Sequence, residues 1–116
     1  PPFNINKIAE MAAVEALKDK SFILKSVKHN LKWAYKIKKI LENYKIKTNK
    51  VSANFLLLDF DNCKFSAIKI KKALEKKGII LRSLEAYKIK NKLRLTIGNT
   101  RENILLLKTL DKIFRK

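Results

Sequence analysis

The spacing of apolar positions changes period along this chain, and each change marks a boundary between predicted elements. From Ile8 to Leu17 (IAEMAAVEAL) most faces are apolar or alanine, which predicts a helix buried between larger elements. Asn4 and Asn6 are acceptable N-caps for it, because a short side-chain oxygen can accept from a free N–H of the first turn. Asp19 or Ser21 then restarts a helix that runs to about Tyr44. Its apolar stripe is Ile23, Val27, Ala34, Ile37, Leu41 and Tyr44, advancing in steps of four and three around a polar Asn30. Lys25, Lys28, Lys32, Lys36 and Lys39 share the opposite side, so this helix is amphipathic with a lysine-coated outer face. A coiled coil competes with packing on a sheet for that stripe. Acidic flanks are missing, and packing on a sheet is preferred.

Beyond Ile46 the period shortens. Ile46 and Thr48 begin a short strand, and Ala53 to Phe60 (ANFLLLDF) is a continuous apolar run of the kind that forms a buried strand. Asp61 and Asn62 turn the chain. A helix is predicted from about Phe65 to Lys77, with Ala67, Ile70, Ala73 and Leu74 inward and Gly78 at a left-handed C-cap. Ile79 to Arg82 reads as a strand, Ser83 to Asn91 as a polar loop, and Lys92 to Ile97 (KLRLTI) as a strand with Leu93, Leu95 and Ile97 on one face. Asn99 and Glu102 form a capping box for a last helix whose inner stripe is Leu106, Leu110 and Ile113. The order predicts an α/β (α+β) fold: a small three- to four-stranded sheet covered by helices, with a long N-terminal amphipathic helix.

Composition narrows the class. A chain of 116 residues with 47% hydrophobic content can build one core and is too short for two ordinary domains. Two glycines and two prolines leave no linker or low-complexity segment. No apolar run is long enough to span a bilayer, and no signal peptide is recognisable; with the single cysteine, Cys63, this points to a reducing, cytoplasmic setting. Pro1 and Pro2 open the chain without an initiator methionine, so a segment of something longer is expected. The net charge of +18 is the usual footprint of a nucleic-acid binder. Against that reading, the excess is nearly all lysine, with Arg82, Arg94, Arg101 and Arg115 the only arginines, whereas phosphate and base recognition leans on guanidinium. Lysine, isoleucine and asparagine rising together also fit a base-composition bias.

No complete catalytic constellation is visible, and no metal site. His29, the only histidine, lacks an orienting carboxylate and is read as a surface or interface residue. Cys63 has no histidine nearby and is read as structural or incidental. Asp59 and Asp61 fall on one side of a strand end and are read as turn-forming and solvated. Arg82 and Arg94 stand out: each is an arginine inside a strand otherwise made of Ile, Leu and Thr, in a chain that nearly always uses lysine. Such a residue can present a rigid, partly desolvated fork to a carboxylate or phosphate. It can equally be an edge-strand arginine paired with a local acid such as Glu85.

PFNIN, SANFLLLDF, KKGIILR and KLRLTIGNTREN follow one another along the chain, and in that order they resemble landmarks of the C-terminal part of histidinol-phosphate aminotransferases, within the fold-type I pyridoxal-phosphate enzymes. The resemblance implies that residues 1–116 are the C-terminal small domain of such an enzyme, with residues 1–18 an interdomain helix and the large cofactor-binding domain absent. It implies amino-group transfer between histidinol phosphate and 2-oxoglutarate (or glutamate in the reverse sense) in histidine biosynthesis, by a cytoplasmic homodimer. Arg94, in the LR-x-TIG position, is similar to the family's substrate-anion arginine, and Arg82 to a second phosphate-contacting arginine. Asn54 matches a family asparagine near the domain junction and is given a structural role. Pyridoxal phosphate is implied for the parent enzyme, with none expected on this fragment, which is predicted inactive alone. The loop EAYKIKN, residues 85–91, departs from Gly-rich versions; Tyr87 resembles a family tyrosine without a fixed alignment, and the departure leaves the substrate preference open. An aromatic aminotransferase, a threonine-phosphate decarboxylase and a basic nucleic-acid-binding module are the alternatives.

Overall fold

The computed structural model describes the backbone of residues 2–49 and 54–115, and the side chains from residue 20 onward within those ranges. Its elements are α1 (Pro2–Glu42), β1 (Lys47–Thr48), β2 (Phe55–Asp59), α2 (Ala67–Glu75), β3 (Arg82–Ser83), a 3₁₀ turn (Glu85–Tyr87), β4 (Lys92–Thr96) and α3 (Thr100–Arg115). The four strands form one antiparallel sheet in the order β1-β2-β4-β3. The α+β expectation holds.

Where two N-terminal helices were expected there is one. Asp19 and Ser21 can cap a helix, but no glycine or proline lies between Pro2 and Gly78, and without a breaker the helix propagates through them. The predicted burial of Ile8 to Leu17, and the part of the Ala53 to Phe60 run before Asn54, lie outside the described side chains. The stripe on α1 is buried only in its second half. Trp33, Ala34, Ile37 and Leu41 are in the core, whereas Ile23 is 57% exposed and Val27 47%. Length explains the difference: a 41-residue helix is about 62 Å long, while five-residue strands such as β2 and β4 span about 17 Å. The stretch of α1 that carries Ile23 and Val27 lies beyond the layer that buries Trp33 to Leu41.

Burial alternates strictly along the two central strands. Leu56 and Leu58 of β2 and Leu93 and Leu95 of β4 are buried, and the residues between them are not. ANFLLLDF is therefore a half-covered strand, not one buried on both sides. All three helices supply core residues: Ala67, Ile70 and Leu74 from α2, Leu106 and Leu110 from α3, and the second half of α1. Phe114, near the end of α3, stacks on Tyr44 with ring centroids 4.2 Å apart.

Two glycines shape the corners. Gly78 has φ +79°, its N–H donates to Glu75 O at 3.0 Å, and the Ile79 N–H donates to Leu74 O at 3.0 Å. This Schellman pattern stops α2 and commits Ile79 to the helix cap, so the predicted strand Ile79 to Arg82 shrinks to Arg82–Ser83, with Ile80 left 83% exposed. At Gly98 a Cβ would come within 2.9 Å of Glu102. Glu102 is there because the predicted capping box forms: Asn99 N–H donates to Glu102 Oε1 at 3.0 Å, and Glu102 N–H donates to Asn99 Oδ1 at 2.8 Å. The buried Asn103 side chain accepts from Gly98 N–H and donates to Gly98 O, both at 2.9 Å. His29 Nε2 makes a second contact with Gly98 O at 2.9 Å. The β4–α3 corner is thus pinned to the middle of α1, just past the strand that carries Arg94.

Candidate anion-binding site

Residues directly opposite each other across an antiparallel pair point to the same face. The register pairs Phe55 with Thr96, Leu57 with Arg94, Asp59 with Lys92, Lys47 with Asp59, and Arg82 with Arg94. These eight residues form the sheet face turned away from the buried leucines. No helix of the described residues seals it, since every one of them is half-buried or exposed. Arg82 and Arg94, singled out from sequence, are therefore cross-strand neighbours on one open face.

Like charges directly opposite cost on the order of 0.2–1 kcal/mol, so this placement needs a compensating group. The acid suggested by sequence does not supply it. Among the described residues neither arginine forms a salt bridge, and Glu85 uses its backbone N–H to bond Ser83 Oγ at 3.3 Å. The acid on this face, Asp59, is engaged elsewhere. It accepts from the Asp61 N–H at 2.9 Å and lies 3.5 Å from Lys92 Nζ. The Asp61 N–H, aided by the Lys92 ammonium, holds the Asp59 carboxyl below the usual range against an opposing push from burial.

Arg94 is fixed in place. Its guanidinium carbon sits 4.5 Å from the centroid of the Phe55 ring. Its Nε is buried with no hydrogen-bond partner among the described residues, a condition shared among the described side chains only by Thr48 Oγ1. A buried guanidinium N–H without an acceptor is costly unless a ligand provides one. Two opposed arginines, one partly desolvated, on a face whose acid Asp59 is already paired with Lys92, suit a phosphate or carboxylate.

The remaining sequence candidates lie elsewhere. His29 docks α1, as an interface residue would. Cys63 is a free, partly buried thiol against the core, and Asp61 accepts from Asn91 Nδ2 at 3.0 Å in the turn. Asn54 is exposed, and its carbonyl accepts from Ile97 N–H at 2.8 Å where β2 and β4 begin to pair. Tyr87 lies 75% exposed in the 3₁₀ turn. Phe55 escaped the sequence reading, which placed it with Phe60 in a buried strand. Phe60 is buried; Phe55 is half-buried on the open face.

The open face does not fit a pyridoxal ring. That cofactor needs a lysine amine for its aldehyde, a carboxylate for its ring nitrogen and a cradle for its phosphate. Here Lys92 and Asp59 are paired with each other, and what is left is two guanidinium groups and an aromatic face. Three or more clustered metal-ligating side chains are also absent among the described residues, and no described helix is long and apolar enough to cross a membrane.

The fold is similar to part of the fold of aminotransferases. The structure superimposes on the histidinol-phosphate aminotransferase of Clostridium acetobutylicum with a TM-score of 0.76 and 25% identity, covering 92% of this chain and 33% of that one. The particular kinship in sequence is with histidinol-phosphate aminotransferases. That of Pelagibacter ubique is 59% identical over 115 residues, taking in 98% of this chain and 32% of the relative. The L-threonine-O-3-phosphate decarboxylase of Porphyromonas gingivalis shares the fold, with a TM-score of 0.65 at 21% identity over 81% of this chain and 28% of that one. No family model matches. The chain spans about a third of the length of the relatives it matches.

Proposed function

We propose that this chain is the substrate-anion-binding small domain of a histidinol-phosphate aminotransferase, with Arg82 and Arg94 holding the phosphate of histidinol phosphate. The observation that carries the proposal is the pair of opposed arginines on an open sheet face, one of them with a buried Nε that has no acceptor. A large domain would carry pyridoxal phosphate, which supplies the electron sink for moving the amino group, in the homodimeric, cytoplasmic setting that the family resemblance implies. This chain's part is to bind and orient. The Arg94 fork donates its free N–H groups to two oxygens of the phosphate, and Arg82 closes on the phosphate from the edge strand. The same planar fork accepts the carboxylate of 2-oxoglutarate or glutamate in the other half of the reaction. The exposed apolar residues of α1, Phe22, Ile23, Leu24 and Val27, suit a covering domain, since contiguous apolar surface of this kind marks an interface.

The test is a graft. Replacing the matching third of the Pelagibacter ubique enzyme with this chain should give a folded protein that transaminates histidinol phosphate with 2-oxoglutarate. A folded graft that instead releases carbon dioxide from threonine phosphate, or that processes neither compound, overturns the proposal. Steep, salt-sensitive binding of the chain to single-stranded DNA would favour the nucleic-acid reading. The aromatic side chain on the open face is already covered by Arg94, which argues against base stacking there.

A further inference from the structure

Phosphate binding by a guanidinium depends on where its flat head is held, and the groups able to hold Arg94 are few. Its directly opposed neighbours are Leu57, which is apolar, and Arg82, which repels it. Its Nε has no partner among the described residues. None of the salt bridges or side-chain hydrogen bonds formed among the described residues includes it. What remains is Phe55. The register sets Phe55 opposite Thr96 and Arg94 opposite Leu57, so Phe55 and Arg94 are diagonal neighbours on one face, roughly 7–8 Å apart at the backbone and within reach only of a long side chain. The Arg94 head covers that gap and rests 4.5 Å from the ring centroid. It therefore leans along the sheet, away from its own strand position and toward the end of β2 where Asn54 carries the chain into the ladder.

We infer that Phe55 is a positioning residue for anion binding: its ring fixes the Arg94 guanidinium over the open face and so sets the affinity for phosphate without touching the ligand. This rests on the reading of Arg94 as an anion clamp. A cation over an aromatic ring uses the face of the guanidinium, whereas hydrogen bonds to an oxyanion use its edge. The two contacts do not compete, and the first restrains the side chain before the second forms. Ordering a long arginine ahead of time removes a conformational cost from binding.

The experiment is a titration of the chain with inorganic phosphate, followed by NMR at the Arg94 Nε–H signal, at an ionic strength near 0.15 M to screen the general positive charge. Wild type should show a saturable shift at Arg94. Phe55→Leu, which keeps apolar bulk but removes the ring, should bind phosphate roughly tenfold more weakly, and its Arg94 signal should move toward that of a free arginine even without phosphate. Phe55→Tyr should restore both. Fluorescence of Trp33, buried in the core, verifies the fold, and Phe55→Met takes the place of the leucine variant if that one unfolds. Phosphate affinity and an Arg94 signal unchanged in Phe55→Leu, with binding lost in Arg94→Lys, would overturn the role of Phe55 and leave the clamp standing. Wild-type binding retained in Arg94→Lys, or no response of Arg94 to phosphate, would bring down the clamp and this inference together.

Discussion

In the grafted aminotransferase, Arg94→Lys should lower kcat/KM for histidinol phosphate by about a hundredfold, chiefly through a higher KM. Lysine keeps the charge, so general attraction to the substrate survives. What it loses is the planar fork that makes two parallel hydrogen bonds, and the contact over Phe55 that holds the fork in place. Hydrogen bonds to charged groups are worth about 1.5–3 kcal/mol, which converts to roughly ten- to a hundredfold at tenfold per 1.4 kcal/mol, and partial desolvation places Arg94 at the upper end. Arg82→Lys should cost less, about three- to tenfold. Arg82 is exposed on a two-residue edge strand, where solvent screens its contribution. Steady-state kinetics on both variants read the ranking directly. A collapse on Arg82→Lys with Arg94→Lys unaffected would move the clamp to the edge strand.

Phe60→Ala should cost about 3–5 kcal/mol of stability, the range for deleting a buried phenyl ring and leaving its cavity. Phe60 is 1% exposed just past the end of β2 and belongs to the core cluster of the described residues. Small domains hold only about 5–15 kcal/mol in total, so this change removes a large share. Phe22→Ala should move stability by less than about 0.5 kcal/mol, because Phe22 is 72% exposed on the projecting half of α1. Urea unfolding followed at Trp33, the sole tryptophan and itself 5% exposed, measures both. A large loss from Phe22→Ala would mean that the stretch of α1 around Phe22 packs on something in the chain by itself.

Several elements were legible because their signals are local. The Asn99–Glu102 box and the Gly78 cap each depend on residues three to five apart, and both formed as predicted. The periodicity named Leu93 and Leu95 of β4 and Leu106 and Leu110 of α3, all buried, while Ile113 is partly buried and the buried Asn103 and Thr109 went unnamed. Misreadings came where the outcome depends on distant partners. α1 is buried from Trp33 to Leu41 and exposed at Ile23 and Val27, yet both stretches carry the same stripe of apolar residues. Ile79 to Arg82 has strand composition, but the cap on α2 had already used the Ile79 N–H. Run composition in ANFLLLDF suggested two covered faces where only alternate residues are covered.

The candidate site was half legible for the same reason. Arg82 and Arg94 stand out because each breaks the lysine habit of the chain inside an apolar strand, and the family resemblance pointed to the same two residues. Their direct opposition is a matter of strand order: β4 lies between β2 and β3, and no residue spacing encodes that. Phe55 was missed because its part arises only from the β2–β4 register, which brings it diagonally beside Arg94.

A double-mutant cycle gives the most direct test of two arginines sharing one anion. Arg82→Ala, Arg94→Ala and the double variant would be compared for histidinol phosphate binding in the grafted enzyme. The account predicts that the two losses fail to add by about 1 kcal/mol or more, as for residues with a common partner. Additivity within about 0.5 kcal/mol would place the two guanidinium groups on separate tasks and contradict it.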